Sequence, residues 1–567
     1  MSTLLARRRS RGFRASVAAL GVVVLVSCTG SAGDQPAEAA PTSAERTSES
    51  PTGAQPTPEP TRSSAPSTEP AEPSAPTPGP VGWTGGPSDA EMRRAGELVD
   101  AMTLRERAGQ VVVASYSGTT PPEQLVRQQH LGGVIVLEEN VGDISSLAGR
   151  LGALQTRSPG EFPLWIGVDQ EGGIVQRLGA PFTAFGPYMA QGAARDDRLS
   201  TEVAHATADE LRAAGFTSVF APVADVTTGP DDPTIGSRSA GDRPGLVSST
   251  TAASLRGYER GGVLSAIKHF PGHGSVPADS HEQLPIQDAS LRQLRSRDLV
   301  PFERAVDSGV PAIMSAHIAV RAVDPGVPSS LSRPMVTGLL RRELGYDGVV
   351  VTDALNMAGV TAAYGSREAA VRALRAGNDV LLMPPDPAGA IDAVSDAVRD
   401  GSLPRARLHE AATRMVGLLL HQEAESGAEP QLRSHPAVLA RQARAAVTSV
   451  SGPCSGRLVD AAVHPTGDAT AVAAFARAAR RAGLPVSTST EADSVVLLGY
   501  GAGPASADVV VATDTPYPLG SSDAPVLLAT FGDGPAPMRA LVDVLLGDAP
   551  APGRLPVRVA GLSRNGC

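Results

Sequence analysis

The sequence predicts a (β/α)8 barrel of the TIM type followed by a small three-layer α/β domain. Three observations carry this expectation. Eight apolar, β-branched runs of roughly strand length recur between Gln110 and Pro384. Longer stretches of helical periodicity separate them, the pattern of parallel strands joined by crossovers. Polar side chains also close successive runs on what would be one end of a barrel, where such folds place their chemistry. An open doubly wound sheet is the alternative architecture, and the strand count favours the barrel.

The strand candidates are Gln110–Tyr116, Gly132–Leu137, Leu164–Asp169, Thr217–Pro222, Val263–Phe270, Pro311–Ile318, Gly348–Ala354 and Asp379–Pro384. Helix candidates between them are Pro122–His130, Ser145–Ser158, Thr201–Gly215, Leu291–Ser308, Pro334–Leu344 and Arg367–Gly377, with Ala388–Arg399 after the last. The barrel is expected over residues 86–428. In residues 429–567 strands are expected at Leu458–Val463, Ser494–Tyr500, Asp508–Thr513, Pro525–Phe531 and Leu555–Val559, with helices Ala469–Ala482 and Met538–Leu546.

The N-terminus reads as an address. Residues 1–27 hold Arg7, Arg8, Arg9, Arg11 and Arg14, no acid, and an apolar run from Val17 to Val26 that is too short to span a bilayer. The run ends Leu25-Val26-Ser27-Cys28, which resembles the lipobox of bacterial lipoproteins, so Cys28 is the expected site of diacylation and membrane anchoring. Residues 28–85 are expected to be a disordered tether. Between 29 and 80 there are twelve Pro and no Val, Ile, Leu, Met, Phe, Tyr or Trp, too little apolar surface to offset the entropy of ordering. An extracytoplasmic, lipid-anchored location follows as the expectation.

Composition excludes several classes. The chain of 567 residues has a net charge of −10, which argues against nucleic-acid binding. Only Cys28, Cys454 and Cys567 occur, too few for a Cys-rich zinc module. Once Cys28 is lipidated, a disulfide between Cys454 and Cys567 is expected in an exported chain.

The densest chemistry lies in Lys268-His269-Phe270-Pro271-Gly272-His273-Gly274, followed by Asp279-Ser280-His281. His269, His273 and His281 lack the paired helical spacing of a zinc-protease motif, and the Pro-Gly and Gly-Ser breaks mark a loop, so no metal is expected. Asp279 and His281 are two apart, so an extended segment points both the same way. A carboxylate there orients the ring, which suits a proton donor near neutral pH. Lys268 is the sole Lys among 49 basic residues. At a strand end it implies a site that needs a compact ammonium in place of a planar guanidinium. Asp353 closes the run Val349–Thr352; held ionised by Lys268, Arg177 or Arg238, it is a candidate nucleophile. A single Asp in such a place is usually a helix cap. Five strands ending in polar residues together are not explained that way.

These residues together resemble glycoside hydrolase family three, in its β-N-acetylhexosaminidase branch. The matching segments are Asp100–Gln110, Val168–Arg177, Phe220–Asp225, Lys268–His281 and Gly348–Met357, within roughly residues 88–425. The resemblance implies Asp353 as the nucleophile, His281 as general acid/base with Asp279 as its partner, and Asp169, Arg177, Arg238, Lys268 and His269 as the sugar pocket. The common retaining plan uses two carboxylates; this branch puts a histidine on a mobile loop instead. Ser237, beside Arg238, stands where the family shows an acid or another small polar residue. His317 is expected to support the site from behind. The implied reaction is retaining hydrolysis of terminal β-linked N-acetylglucosamine from peptidoglycan fragments or chitin-type oligosaccharides, by a monomer without cofactor. The segment 547–558 resembles the closing part of the family's second domain, for which a structural role or a partial wall over the cleft is expected. Two alternatives stay open: a glycoside phosphorylase acting on the same bond, and an exported sugar-binding lipoprotein.

Overall fold

The computed structural model describes residues 86–157, 160–425, 432–453, 455–489 and 491–564. The signal segment, the tether, Cys28, Cys454 and Cys567 lie outside them, and with them the lipidation and disulfide expectations. Eight parallel strands form the first half: β1 (Val112–Ala114), β2 (Gly133–Val136), β3 (Trp165–Val168), β4 (Ser218–Val219), β5 (Leu264–Phe270), β6 (Ala312–Ser315), β7 (Val349–Thr352) and β8 (Leu381–Leu382). Their order runs β7-β6-β5-β4-β3-β2-β1-β8. A parallel bridge between Val351 and Val380 brings β7 beside β8 and nearly closes the barrel. Each expected strand is present, shortened to its buried centre. Both faces of these strands are covered, inside by Val113, Ile135, Trp165, Phe220, Met314 and Val351, outside by helices. Continuous apolar runs therefore replace alternation.

The helices differ more from expectation. Leu291–Ser308 divides into Leu291–Ser296 and Val300–Asp307, because Leu299 starts a new turn with Pro301 in its first positions and Asp298 is buried between the two. Helix Pro244–Arg260, absent from the expectations, packs along Asp197–Ala213. Its Gly, Ser and Thr content hides the periodicity, yet those small residues allow close approach: a Cβ on Gly257 would lie 2.4 Å from the Thr201 carbonyl oxygen.

The second half is a five-stranded sheet: β9 (Thr448–Ser451), β10 (Val463–Gly467), β11 (Asp493–Leu498), β12 (Val509–Ala512) and β13 (Val526–Ala529), in the order β9-β13-β12-β11-β10. Helices Ala469–Arg481 and Pro535–Leu546 cover one face through Phe475, Met538 and Leu541. The other face packs on Met189, Ala190 and Ala193 of the barrel helix Tyr188–Ala194 and on Leu555, Val557 and Val559. This completes the three layers.

Two strand expectations are corrected here. The first strand falls at Val463–Gly467, not Leu458–Val463; it contains Pro465, which only an edge strand tolerates, and β10 is an edge. Leu555–Val559 is buried but is not a strand. Its backbone bonds to the barrel instead: the Leu555 carbonyl accepts from Arg195, and the Pro556 carbonyl accepts from the Asp242 N–H. β9, the antiparallel edge, was not foreseen; its Thr448-Ser-Val-Ser sequence is mostly polar.

Beneath the mouth of the barrel, Glu210 is 2% exposed and accepts from the Thr183 N–H (2.8 Å) and hydroxyl (2.6 Å). Burial pushes its carboxyl up to about 7. A folded-state value above the ordinary 4.5 means that this group's stabilising contribution is full at low pH and is lost as the pH rises through about 7. Glu210→Gln is therefore expected to raise the thermal midpoint relative to the parent at about pH 8 and by clearly less at about pH 5. Melts at the two pH values check this, and an equal difference at both would refute it.

Candidate active site

The C-terminal ends of the barrel strands open into a cleft of about 290 Å³. Asp169 follows β3, Lys268 and His269 lie in β5, Asp353 follows β7 and Met383 follows β8, and all five line it. Arg177 comes from a short antiparallel ribbon after β3 (170–172 with 175–176), and Arg238 from a single turn after β4. His281 enters from the loop after β5. Seven of the eight expected site residues thus face one cleft. The eighth, Asp279, sits behind His281: its Oδ1 is 2.7 Å from His281 Nδ1 and accepts the His281 backbone N–H at 2.9 Å. Asp353 and His281 share this space, as a common substrate requires.

Lys268 and His269 are chain neighbours, yet both reach the cleft. In a regular strand they would point to opposite faces. The pairing of β5 with β6 shifts by one residue between Ile267 and Phe270, and such a bulge re-aims side chains at this position.

The residue that ties the pocket together is Glu171, which is not among the site residues that the sequence predicts. It is 5% exposed and takes a fork from Arg238, Nε to Oε2 and Nη2 to Oε1, both at 2.8 Å. Lys268 Nζ lies 2.7 Å from the same Oε1 and donates to Asp169 Oδ1 at 2.6 Å. Burial by itself would favour the neutral acid, but the two cations hold the Glu171 carboxyl well below the usual range. Burial likewise opposes the Lys268 charge, and Asp169 and Glu171 outweigh it, raising its pKa. The sole Lys is therefore a compact cation seated between two carboxylates.

Asp225 is a second hub. It is fully buried; Oδ2 accepts from His269 Nδ1 at 2.7 Å, and Oδ1 accepts the backbone N–H of His269 (3.2 Å) and of His273 (2.6 Å). Burial raises the Asp225 carboxyl, but His269 and the His273 N–H prevail and lower it. With Nδ1 held by Asp225, Nε2 is turned toward Arg238 Nη2 at 3.3 Å.

The loop that carries His281 is anchored at depth and open at its tip. His273 is 1% exposed, and its Nε2 lies 2.8 Å from Ser280 Oγ. Burial, helped by His269, pushes His273 down to about 4, so it is neutral. Gly272 has φ +123°, and a Cβ there would lie 2.7 Å from the Asp298 Cβ, which explains one glycine of the motif. The His281 side chain remains 63% exposed. Asp279, whose carboxyl is raised by partial burial but lowered further by its bonds to His281, stays ionised and directs the His281 Nδ1 proton toward itself. Nε2 is the nitrogen left to exchange protons.

Asp353 Oδ1 accepts the Ala354 N–H at 2.8 Å. Burial would raise this carboxyl, but His317, His269 and that N–H bring it down to about 2, so it is ionised at neutral pH. His317 lies behind it, fully buried, with Nε2 donating to the Ala354 carbonyl (3.0 Å) and Nδ1 accepting from Ser330 (2.7 Å). Among the described residues no group of three or more His, Cys, Asp or Glu side chains is placed to hold a metal ion.

An ionised carboxylate and a carboxylate-held imidazole thus open onto one cleft. Residues 103–418 match the family model described as "Glycosyl hydrolase family 3 N terminal domain". The chain belongs to glycosyl hydrolase family 3. Within this family it is 38% identical over 287 residues to "Beta-hexosaminidase A" of Pseudoalteromonas piscicida, a match to 47% of this chain and 48% of that one. The chain thus spans about half the length of that relative. It is 36% identical over 323 residues to "Beta-hexosaminidase" of Chromobacterium violaceum, covering 56% of this chain and 88% of that one. A solved family 3 β-N-acetylglucosaminidase from Paenibacillus sp. str. FPU-7 superposes with a TM-score of 0.74 at 30% identity, over 81% of this chain and 99% of the other.

Glu171→Gln leaves Lys268 and Arg238 short of a carboxylate in a buried site, and such broken pairs cost about 3–5 kcal/mol. The expected outcome is an unfolding free energy lower by about 3–5 kcal/mol, read from denaturant melts, together with loss of sugar binding. Lys268→Arg should also lose activity, because a planar fork does not fit a seat built for an ammonium. Full activity in that variant would show that charge alone suffices.

Proposed function

We propose that the protein is a retaining β-N-acetylhexosaminidase that releases terminal N-acetylglucosamine by way of a covalent glycosyl-enzyme. One observation carries this reading: Asp353 and the His281–Asp279 pair open onto the same cleft, beside three cations and two further carboxylates. The two relatives named as β-hexosaminidases and the solved β-N-acetylglucosaminidase support the sugar class.

Asp353 attacks the anomeric carbon while the His281 Nε2 proton passes to the departing glycosidic oxygen. The leaving alcohol departs, and His281 is left neutral. It then takes a proton from a water molecule, whose oxygen displaces Asp353 and regenerates the carboxylate. Two inversions give net retention. Asp279 balances the imidazolium charge in the first step and fixes the ring tautomer in both. Asp169, Arg177, Lys268, Arg238 and His269 hold the sugar hydroxyls; Arg177 Nε is buried without a hydrogen-bond partner, so a cation aimed at the cleft is free for a ligand. The substrates are β-linked N-acetylglucosamine ends of peptidoglycan fragments or chitin-type oligosaccharides. The basic and apolar N-terminal segment, the lipobox-like Leu25–Cys28 and the Pro-rich tether support a location outside the cytoplasm with a lipid anchor at Cys28.

The test is release of a phenol from its N-acetyl-β-glucosaminide, with product analysis in the presence and absence of phosphate. Asp353→Asn is expected to lower turnover by about 10⁴-fold or more, since a neutral amide is a poor nucleophile toward the anomeric carbon. His281→Ala should slow poor leaving groups by about 10²-fold or more and activated phenols far less. An equal fall for both substrate classes removes His281 from the acid role. A sugar 1-phosphate as main product would make the enzyme a phosphorylase, and sugar binding without release would make it a binding protein.

A further inference from the structure

The second domain lines no part of the cleft: the described lining residues end at Met383. The expected wall over the cleft is therefore not built from it. It touches the site one residue removed. Arg238 sits at the end of the turn 234–238, whose Thr234 and Ile235 also face the cleft. From below, the turn is held by Asp232, which accepts the N–H groups of Thr234 (3.2 Å), Ile235 (2.9 Å) and Gly236 (3.3 Å). From above, Ser237 is 1% exposed and donates its hydroxyl to Asp514 Oδ1 at 2.5 Å. Asp514 follows the end of β12, and the preceding Thr513 is fixed by bonds from its N–H (2.9 Å) and hydroxyl (3.0 Å) to the Leu498 carbonyl. The carboxylate is thus presented by a sheet end, a rigid mount. Four residues past the turn, Asp242 takes a fork from Arg564 at 2.8 and 2.6 Å and accepts the Arg558 N–H at 2.7 Å. The segment from 232 to 242 is clamped by the second domain at two points.

We propose that Asp514 is a positioning residue, and that the second domain contributes to turnover by holding Ser237 and so keeping Arg238 in register with Glu171 and His269. This rests on the reading of Arg238 as a sugar ligand. The Arg238 fork fixes its guanidinium to Glu171, but the backbone behind it is set by the turn, and among the described residues the Ser237 hydroxyl bonds to Asp514 and to no barrel group. Release of that anchor lets the turn settle away from the cleft, moving Arg238 and Ile235 together. Sugar contacts made equally in ground and transition states are then weakened, which appears in KM more than in kcat.

The experiment measures kcat and KM on an N-acetyl-β-glucosaminide, and calorimetric binding of N-acetylglucosamine, for the full chain and for Asp514→Ala, Asp514→Asn, Ser237→Ala and the Asp514→Ala/Ser237→Ala double variant. Asp514→Ala should raise KM and weaken sugar binding by about 10-fold, with kcat within about two-fold. Asp514→Asn retains an acceptor oxygen and should stay within about two-fold of the parent. Ser237→Ala, which leaves the second domain untouched, should repeat the Asp514→Ala effect, and the double variant should be no worse than either single one. Unchanged KM in both single variants overturns the proposal, as does a fully additive double variant or an Asn variant as weak as the Ala one. If the parent itself releases no phenol, the proposed function fails, while the binding measurements still judge the role of Asp514.

Discussion

A single carboxylate between two cations organises the mouth of this barrel. Glu171 receives Arg238 as a fork and Lys268 as a point charge, and Lys268 spans onward to Asp169. Interior charges of this kind add little net stability, because desolvation offsets much of their attraction. What they fix is position. Three chain segments, from after β3, after β4 and within β5, are locked into one constellation, so a sugar meets donors already in place. Asp225 repeats the device at the next position, joining the His269 ring to the start of the loop that carries His281. The two hubs meet where Arg238 reaches His269.

Much of this arrangement could be read from the chain. Strand positions were legible because parallel strands buried on both faces are uninterrupted apolar runs. Lys268, Asp353 and the Asp279–His281 pair stood out by rarity, by closing an apolar run and by spacing. Glu171 carries no signal of its own in the sequence, because its partners Lys268 and Arg238 lie 97 and 67 residues further on. Asp225 was visible as a strand-ending acid, but its partners are 44 and 48 residues away, and sequence gives no measure of that distance. Ser237 looked like a departure from a family pattern, and its partner lies 277 residues further on. In the second domain Pro465 disguised a true strand, while the buried apolar segment Leu555–Val559 imitated one. Whether a run pairs with a sheet or lies against another domain depends on what occupies its flank, and local pattern carries no record of that.

The loop after β5 shows how exposure and order coexist. Its buried root is pinned by His273 to Ser280 and to Asp225, while the imidazole at 281 stands in solvent with its carboxylate partner. In the proposed role of His281, such a mount requires only the tip of the loop to move.

The sheet of the second half has no free face. Ala529, Val510 and Ala512 rest on Met189, Ala190 and Ala193 of the barrel, with Leu555 and Val557 closing the seam. A barrel cut off after residue 425 would bare that seam to water, and the severed sheet would do the same. The two halves therefore share one apolar seam, and each keeps the other's side of it from water.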